Sequence, residues 1–400
     1  MNAPAVTLVV TNDFHSAVPT GHKLLAALRE ARGRGALVVD GGDFFGGNAF
    51  HLFSEGRVEE RLLAGLYDAV VPGNHDLADL MRLADPGRFP PVVCANLTPP
   101  PVFAGRWEPC LLLPARERRP RVGIVGYLGR QAFEAVPPGE RAGFAFTDPA
   151  ADLIAAQRDR LLAAGADIVV GLSHSGFDHD VADQQRDWPL ELVAAGHCHT
   201  GSYHWSSGGR HVVKAPENGA GLLRLDLDAG GPRTITCTPF PTEPGPPPGA
   251  EPELEGVLDG YEKWGAESLA VMDGPLPGRD AVAGALTARG PGLTGCEAIV
   301  LNLGCLRAGL PARITRRALA DCAPFDNPLV RLNGPHTARE LEEAARTVGE
   351  TPVTTPRTAP GRVLRTVVVT RYLADRLALP FTPTGHTLHS VLIRLVEESP

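Results

Sequence analysis

Short apolar runs rich in β-branched residues recur through the first half of the chain and alternate with stretches of helical periodicity. The runs are VTLVV (6–10), ALVVD (36–40), DAVVPG (68–73), PRVGIVGY (120–127), ADIVVGLSH (166–174) and LELVAAGH (190–197). Between them lie GHKLLAALREARGRG (21–35), in which Leu24, Leu25 and Leu28 share one helical face, RVEERLLAGL (57–66) and PAADLIAAQRDRLLAAG (149–165). Continuous apolar strands alternating with amphipathic helices predict a layered α/β domain whose strands are buried on both faces. HVVKAPENGAGLLRLDLD (211–228) adds further strands near its end.

Around Glu243 to Glu253 the pattern breaks into EPGPPPGAEPE, whose prolines disfavour helix and sheet interior. We read 1–242 as one domain, 243–253 as a proline-rich linker and 254–400 as a second domain. The second half predicts helices at 252–269, 279–290 and 337–349, a strand at 297–304, and a strand running into a helix over 365–378.

Composition narrows the class. The chain has 400 residues, 43% hydrophobic and 21% charged, as in a water-soluble globular protein. A formal net charge of −8 argues against a nucleic-acid polymer as partner, and no apolar run is long enough to span a membrane. The seven cysteines show no CxxC spacing, which argues against a disulfide framework and suits a reducing cytoplasm. The N-terminal residues read as a first strand with no basic region or cleavage site of a signal peptide.

The chemistry sits where the predicted strands end. Asp13 and His15 follow the first run, Asp43 the second, and Asn74, His75 and Asp76 the third; His174 ends the fifth, and His197 and His199 follow the sixth. A single Asp-x-His after a strand is usually a turn with a helix cap. Five of these six strand ends delivering oxygen and nitrogen donors to one edge are a different matter, because ligand sites of layered α/β sheets lie at the carboxyl ends of strands. The donors suit Mn, Zn, Mg or Fe, and alternation along an extended GHCH segment lets His197 and His199 face one site while Cys198 points away.

This ordered set, D-x-H, G-D, G-N-H-D, H and G-H-x-H, resembles the signature of the calcineurin-like metallophosphoesterases. The resemblance implies a four-layer α/β/β/α sandwich holding two divalent metal ions, one on Asp13, His15, Asp43 and His199, the other on Asp43, Asn74, His174 and His197. His75 is then the residue that stabilises the transition state or protonates the leaving oxygen, and it needs a carboxylate to orient its ring. In the nucleotidase branch that carboxylate lies three residues beyond the histidine; here the position is Ala78, flanked by Asp76 and Asp79, of which Asp79 is preferred.

The segment from Val300 to Ala345 resembles the smaller α/β C-terminal domain of 5′-nucleotidases, with its N-x-G-x-x-R, G-x-I-T and P-F-x-N elements. That resemblance implies substrate contacts from Asn302, Gly304 and Arg307, with Arg279 a weaker third candidate among the polar side chains. It also implies a base clamp of Phe325 and Tyr372 with Asn327 beside it. After Tyr372 the chain reads DRLA (375–378) where that family has a glycine-rich turn. The function expected is a metal-dependent phosphomonoesterase acting on the 5′-phosphate of a nucleotide or nucleotide-like metabolite. Its rivals are a 2′,3′-cyclic nucleotide phosphodiesterase, a sugar-nucleotide hydrolase, a sulfur-ester hydrolase, or a nucleotide-binding regulatory protein without turnover. The sequence leaves the oligomeric state open.

Overall fold

The computed structural model describes residues 5–114, 119–199, 201, 203–245, 252–355 and 361–397; the centre of the proline-rich stretch, 246–251, lies outside them. The chain divides into two compact units, Met1–Leu258 and Asp259–Pro400, the division falling inside the helix Pro252–Ala266.

In the first unit the predicted strands, joined by others that the hydrophobic pattern did not mark, sort into two sheets. One orders Gly231–Pro239, Gly221–Asp228, Val6–Thr11, Leu37–Asp40, Ala69–Val70, Val92–Val93 and Trp107–Glu108; the other orders Tyr203–Ser207, Arg210–Lys214, Leu192–Ala195, Ile168–His174, Val122–Leu128 and Cys110–Leu112. Period-two alternation decides what each face meets. Val6, Leu8 and Val10 join Val122, Ile124, Val170 and Leu172 in one core between the sheets. The opposite face of the second sheet puts Val125 and Tyr127 against Ile154 and Leu161 of the helix Ala151–Ala163. Outside the first sheet, the helix His22–Gly33 buries Leu24, Leu25 and Leu28 and packs on the strand Leu37–Asp40 and the helix Arg57–Leu66. The result is the four-layer α/β/β/α sandwich. Each fully buried Leu or Val contributes about 1.5–3 kcal/mol, so the intersheet core outweighs the modest intrinsic preferences of its helices.

Parallel pairing aligns the strand ends. Thr11 lies beside Asp40 and Asp40 beside Val70 in the first sheet; Leu128 lies beside His174, and Ser173 beside Ala195, in the second. The loops that leave these ends carry the donors.

The second unit is a five-stranded sheet, in the order Pro352–Thr354, Ala298–Asn302, Val367–Thr370, Pro328–Leu332 and Phe381–Thr387, with helices on both faces. Ile299, Leu301 and Val368 meet the helices Gly278–Thr294 and Leu388–Glu397; Ala298, Val300 and Val369 meet the helix Ala338–Thr347. Two boundaries differ from expectation. The helix expected to reach residue 269 stops at Ala266, because Ser268–Val271 pairs as a strand with Arg313–Thr315, a partner remote in sequence. The helix expected to stop at 290 continues through Pro291 to Thr294, since Leu293 and Thr294 are buried and the left-handed Gly295 supplies the stop.

On the outer face of the second sheet, Tyr127 donates its hydroxyl to Asp180 Oδ1 at 3.2 Å, and burial pushes the Asp180 carboxyl up to about 8. An acid raised in the folded state costs no stability below its unfolded pKa near 4, an increasing amount up to about pH 8, and a constant amount above. Asp180→Asn should therefore be more stable than the parent at pH 8–9, by about 1.4 kcal/mol for each tenfold change in acidity between the unfolded and folded carboxyl, and the difference should shrink toward pH 4. Urea denaturation across this range checks it; a pH-independent difference would refute the assignment.

Candidate metal centre

The seven donors read from the sequence meet at the aligned strand ends. His15 Nε2 faces His199 Nε2 at 2.8 Å and lies 4.0 Å from Asp13 Oδ1 and 3.9 Å from Asp43 Oδ2. On the other side of Asp43, His174 Nε2 is 3.2 Å from Asp43 Oδ2 and 3.3 Å from Asn74 Oδ1, which is 2.9 Å from His197 Nδ1. Donor atoms bound to one ion at about 2.0–2.2 Å stand roughly 3–3.5 Å apart, the scale of these separations. Two groups, Asp13–His15–His199 and Asp43–His174–His197, have ligand atoms that all fall within 4.8 Å of one another. A third, His15–Asp43–His75, does so too, so His75 stands at the edge of the cluster.

The backbone is bent to make this happen. Asp13, His15, Asp43 and His197 all adopt positive φ, at 50°, 49°, 56° and 77°. Left-handed conformations cost non-glycine residues free energy and collect at functional sites. Close approach does the rest at Gly73, where an added Cβ would sit 2.1 Å from Asp43 Oδ1.

The charges suit a cation. Burial would raise the carboxyls of Asp13 and Asp43, but the histidines around them win and hold both below the ordinary range, Asp43 well below. Burial pushes His15 down to about 3 and His197 to about 4, so both rings are neutral with lone pairs to give. Burial would also lower His174, yet Asp43 holds it up at about 10. A divalent ion bound there displaces that proton. Its Nδ1–H donates to Gly41 O at 2.9 Å, the kind of backbone bond that fixes a ligating imidazole. Carboxylates and neutral imidazoles without a thiolate fit Mn, Zn, Mg or Fe. Cys198 Sγ accepts from Phe177 N–H at 3.4 Å, at the start of a helix.

His75 donates its backbone N–H to Asp43 Oδ1 at 2.8 Å, and its ring meets that of His15 edge-on at 5.0 Å. Both carboxylates considered for orienting that ring bond to groups outside it. Asp76 accepts from the amides of Asp43, Gly73 and Phe45 at 2.8, 2.7 and 3.0 Å, tying together two donor loops, with burial pushing its carboxyl up to about 7. Asp79 pairs with His51 Nε2 at 3.0 Å and lies 3.7 Å from Arg82. Nearness in sequence to His75 favours Asp79, but His51 carries no motif and the pairing spans 28 residues.

Asn12 escaped the sequence reading although it adjoins Asp13. Its Nδ2 donates to Asp13 Oδ2 at 2.7 Å, and its Oδ1 accepts from Ala215 N–H at 3.0 Å.

Within the second unit, Arg307 lies over the Phe325 ring, 6.0 Å from its centre. Asn302 is buried and accepts from Thr370 Oγ1 at 2.9 Å, with Nδ2 beside the exposed Gly304. Tyr372 donates its hydroxyl to Glu350 at 2.9 Å. Asn327 is half-buried, and Arg279 is exposed at the start of the helix Gly278–Thr294.

Gly73→Ala should weaken divalent-ion binding by at least tenfold while leaving a folded protein, because the added carbon displaces Asp43. Calorimetric titration of the metal-stripped protein checks it, and unchanged affinity would show that Asp43 needs no such approach.

Several known proteins are similar to this chain. The family model for calcineurin-like phosphoesterase matches residues 6–201. The 5′-nucleotidase of Diplobatis ommata is 28% identical over 199 residues, 47% of this chain and 32% of that one; the snake venom 5′-nucleotidase of Crotalus adamanteus is 28% identical over 225 residues, 50% and 37%. The matches thus span about a third of those relatives' length. Among solved structures, a 5′-nucleotidase precursor from Thermus thermophilus superposes with a TM-score of 0.77 at 21% identity, covering 98% of this chain and 96% of that one. The sulfate thiohydrolase SoxB of Thermus thermophilus gives 0.75 at 16% identity, covering 98% and 94%. The fold is therefore that of these proteins across both units. Residues 6–201 thus match the calcineurin-like phosphoesterases, and 5′-nucleotidases are among the proteins this chain is similar to.

Proposed function

We propose that this protein is a two-metal phosphomonoesterase that removes the 5′-phosphate of a nucleotide or nucleotide-like metabolite. The observation that carries the reading is the convergence of two buried carboxylates with neutral imidazoles on either side of Asp43. In this reading Asp13, His15, Asp43 and His199 hold one divalent ion, and Asp43, Asn74, His174 and His197 hold the second. Two such ions, when bound, acidify a water and neutralise charge on the phosphoryl oxygens.

The chain's own residues supply the rest. Asp43 faces both donor groups and stays ionised there, so it serves as the shared ligand. His75, half-buried beside His15, donates a proton to the departing ester oxygen. Asp76 holds the loops of Asp43 and Gly73 in register through three backbone amides. The second unit binds the nucleoside part through Phe325, Tyr372 and Asn327, with Arg307, Arg279, Asn302 and Gly304 at its polar groups. The names of the 5′-nucleotidase relatives support this choice of substrate class over a sulfur ester.

Stripped of metal by a chelator, the protein should release no phosphate from nucleoside 5′-monophosphates, and added Mn, Mg or Zn should restore release. Preference for cyclic or other diesters would overturn the monoester assignment. Absence of release from a broad monoester panel would make the protein a nucleotide-binding regulator. His75→Ala should lower turnover by about 10²–10⁴-fold with metal content unchanged; full turnover in that variant, or loss of an ion, would remove His75 from the proton-donor role.

A further inference from the structure

The loop carrying His197 and His199 leaves the strand Leu192–Ala195 and returns as the strand Tyr203–Ser207. Its first half is fixed, since Gly196 N–H donates to Ser173 O at 2.7 Å and His197 N–H to both carboxylate oxygens of Asp13 at 3.0 Å. His199 is placed differently. Its side chain is 46% exposed, so packing does not hold it, yet its ring nitrogen stands 2.8 Å from that of His15 and 3.7 Å from Asp13 Oδ1.

Two residues on, both backbone groups of Gly201 are taken by a single ion pair. Lys214 Nζ donates to Gly201 O at 2.7 Å, and the carboxylate of Glu217 accepts from Gly201 N–H with both oxygens at 3.1 Å. Lys214 is fully buried, and its other two hydrogens go to Glu217 Oε2 at 2.8 Å and Ala215 O at 3.1 Å, so the ammonium group is fully satisfied. An ion pair with one fully buried partner is a poor source of stability, because desolvation offsets its attraction; what it supplies is a defined geometry. The same pair reaches Asp13 from behind. Ala215 N–H donates to Asn12 Oδ1, and Asn12 Nδ2 donates to Asp13 Oδ2. The far end of the His199 loop and the carboxylate it faces are thereby tied to one point.

We propose that Lys214 and Glu217 are positioning residues that set the His199 ring against Asp13 and His15, and so govern the affinity of the one divalent ion those three would hold. The proposal rests on the reading of Asp13, His15 and His199 as metal ligands. Neither residue contacts the ion; both act through the backbone of Gly201 and through Asn12.

The test is calorimetric titration of Mn²⁺ into the metal-stripped full chain, with ion content measured by mass spectrometry and melting temperature recorded without metal. The double variant Lys214→Met/Glu217→Gln leaves no buried charge unpaired; it should keep one ion at the parent affinity and bind the other about 10–100-fold more weakly. Glu217→Gln alone leaves Lys214 its two carbonyl partners and should show the same selective loss in smaller degree, which keeps the test open if the double variant does not fold. His199→Ala is the control on the ligand reading and should weaken the same ion. If His199→Ala binds both ions as the parent does, the metal-centre reading fails. If His199→Ala loses one ion while the Lys214 and Glu217 variants bind both normally, or weaken both equally, or only melt earlier, the positioning proposal fails and the ligand reading stands.

Discussion

Burying the carboxylates of Asp13 and Asp43 next to each other carries a free-energy cost that only cations, protonated rings or amide donors can offset. Around that constraint the first unit is arranged. Asp43 takes the amide of His75, Asp13 takes the amide of His197 and the side chain of Asn12, and His174 lies against Asp43. These donors are drawn from several different strand ends. Two sheets sharing one apolar core bring those ends together because their inner strands run parallel.

Much of this was legible because two independent signals coincide in the sequence. Apolar runs mark the strands, and the polar residues that end them are the candidate donors, so Asp13, Asp43 and His174 stand out by position, while their division between two ions rests on the family resemblance. The two-layer pairing of the sheets follows less directly, and the antiparallel strand Gly231–Pro239, with few buried positions, carried no clear period. In the second unit the strand-to-helix turn before Tyr372 was visible as VVVT followed by an amphipathic stretch, whereas the fate of Pro291 was not. A proline removes one helix bond, and the burial of Leu293 outweighed that loss.

Partners far apart in sequence were the illegible part. Asp79 sits one turn beyond His75, yet its carboxylate meets His51, and Lys214 meets Gly201 across a hairpin whose polar residues read as an ordinary strand end. Asn302, read as a substrate contact, is joined to Thr370 across 68 residues, and Tyr372 to Glu350. Side chains of these types bond whatever the fold brings near, so their partners are set by register and loop path.

The left-handed backbone at Asp13, His15, Asp43 and His197 has an evolutionary corollary. Glycine at Asp13 or Asp43 would relieve the backbone but leave the amide of His197 or of His75 without its carboxylate partner. A descendant that lost one of these carboxylates would thus exchange strain for an unpaired buried amide, while the intersheet core, which contains none of the donors, would be untouched.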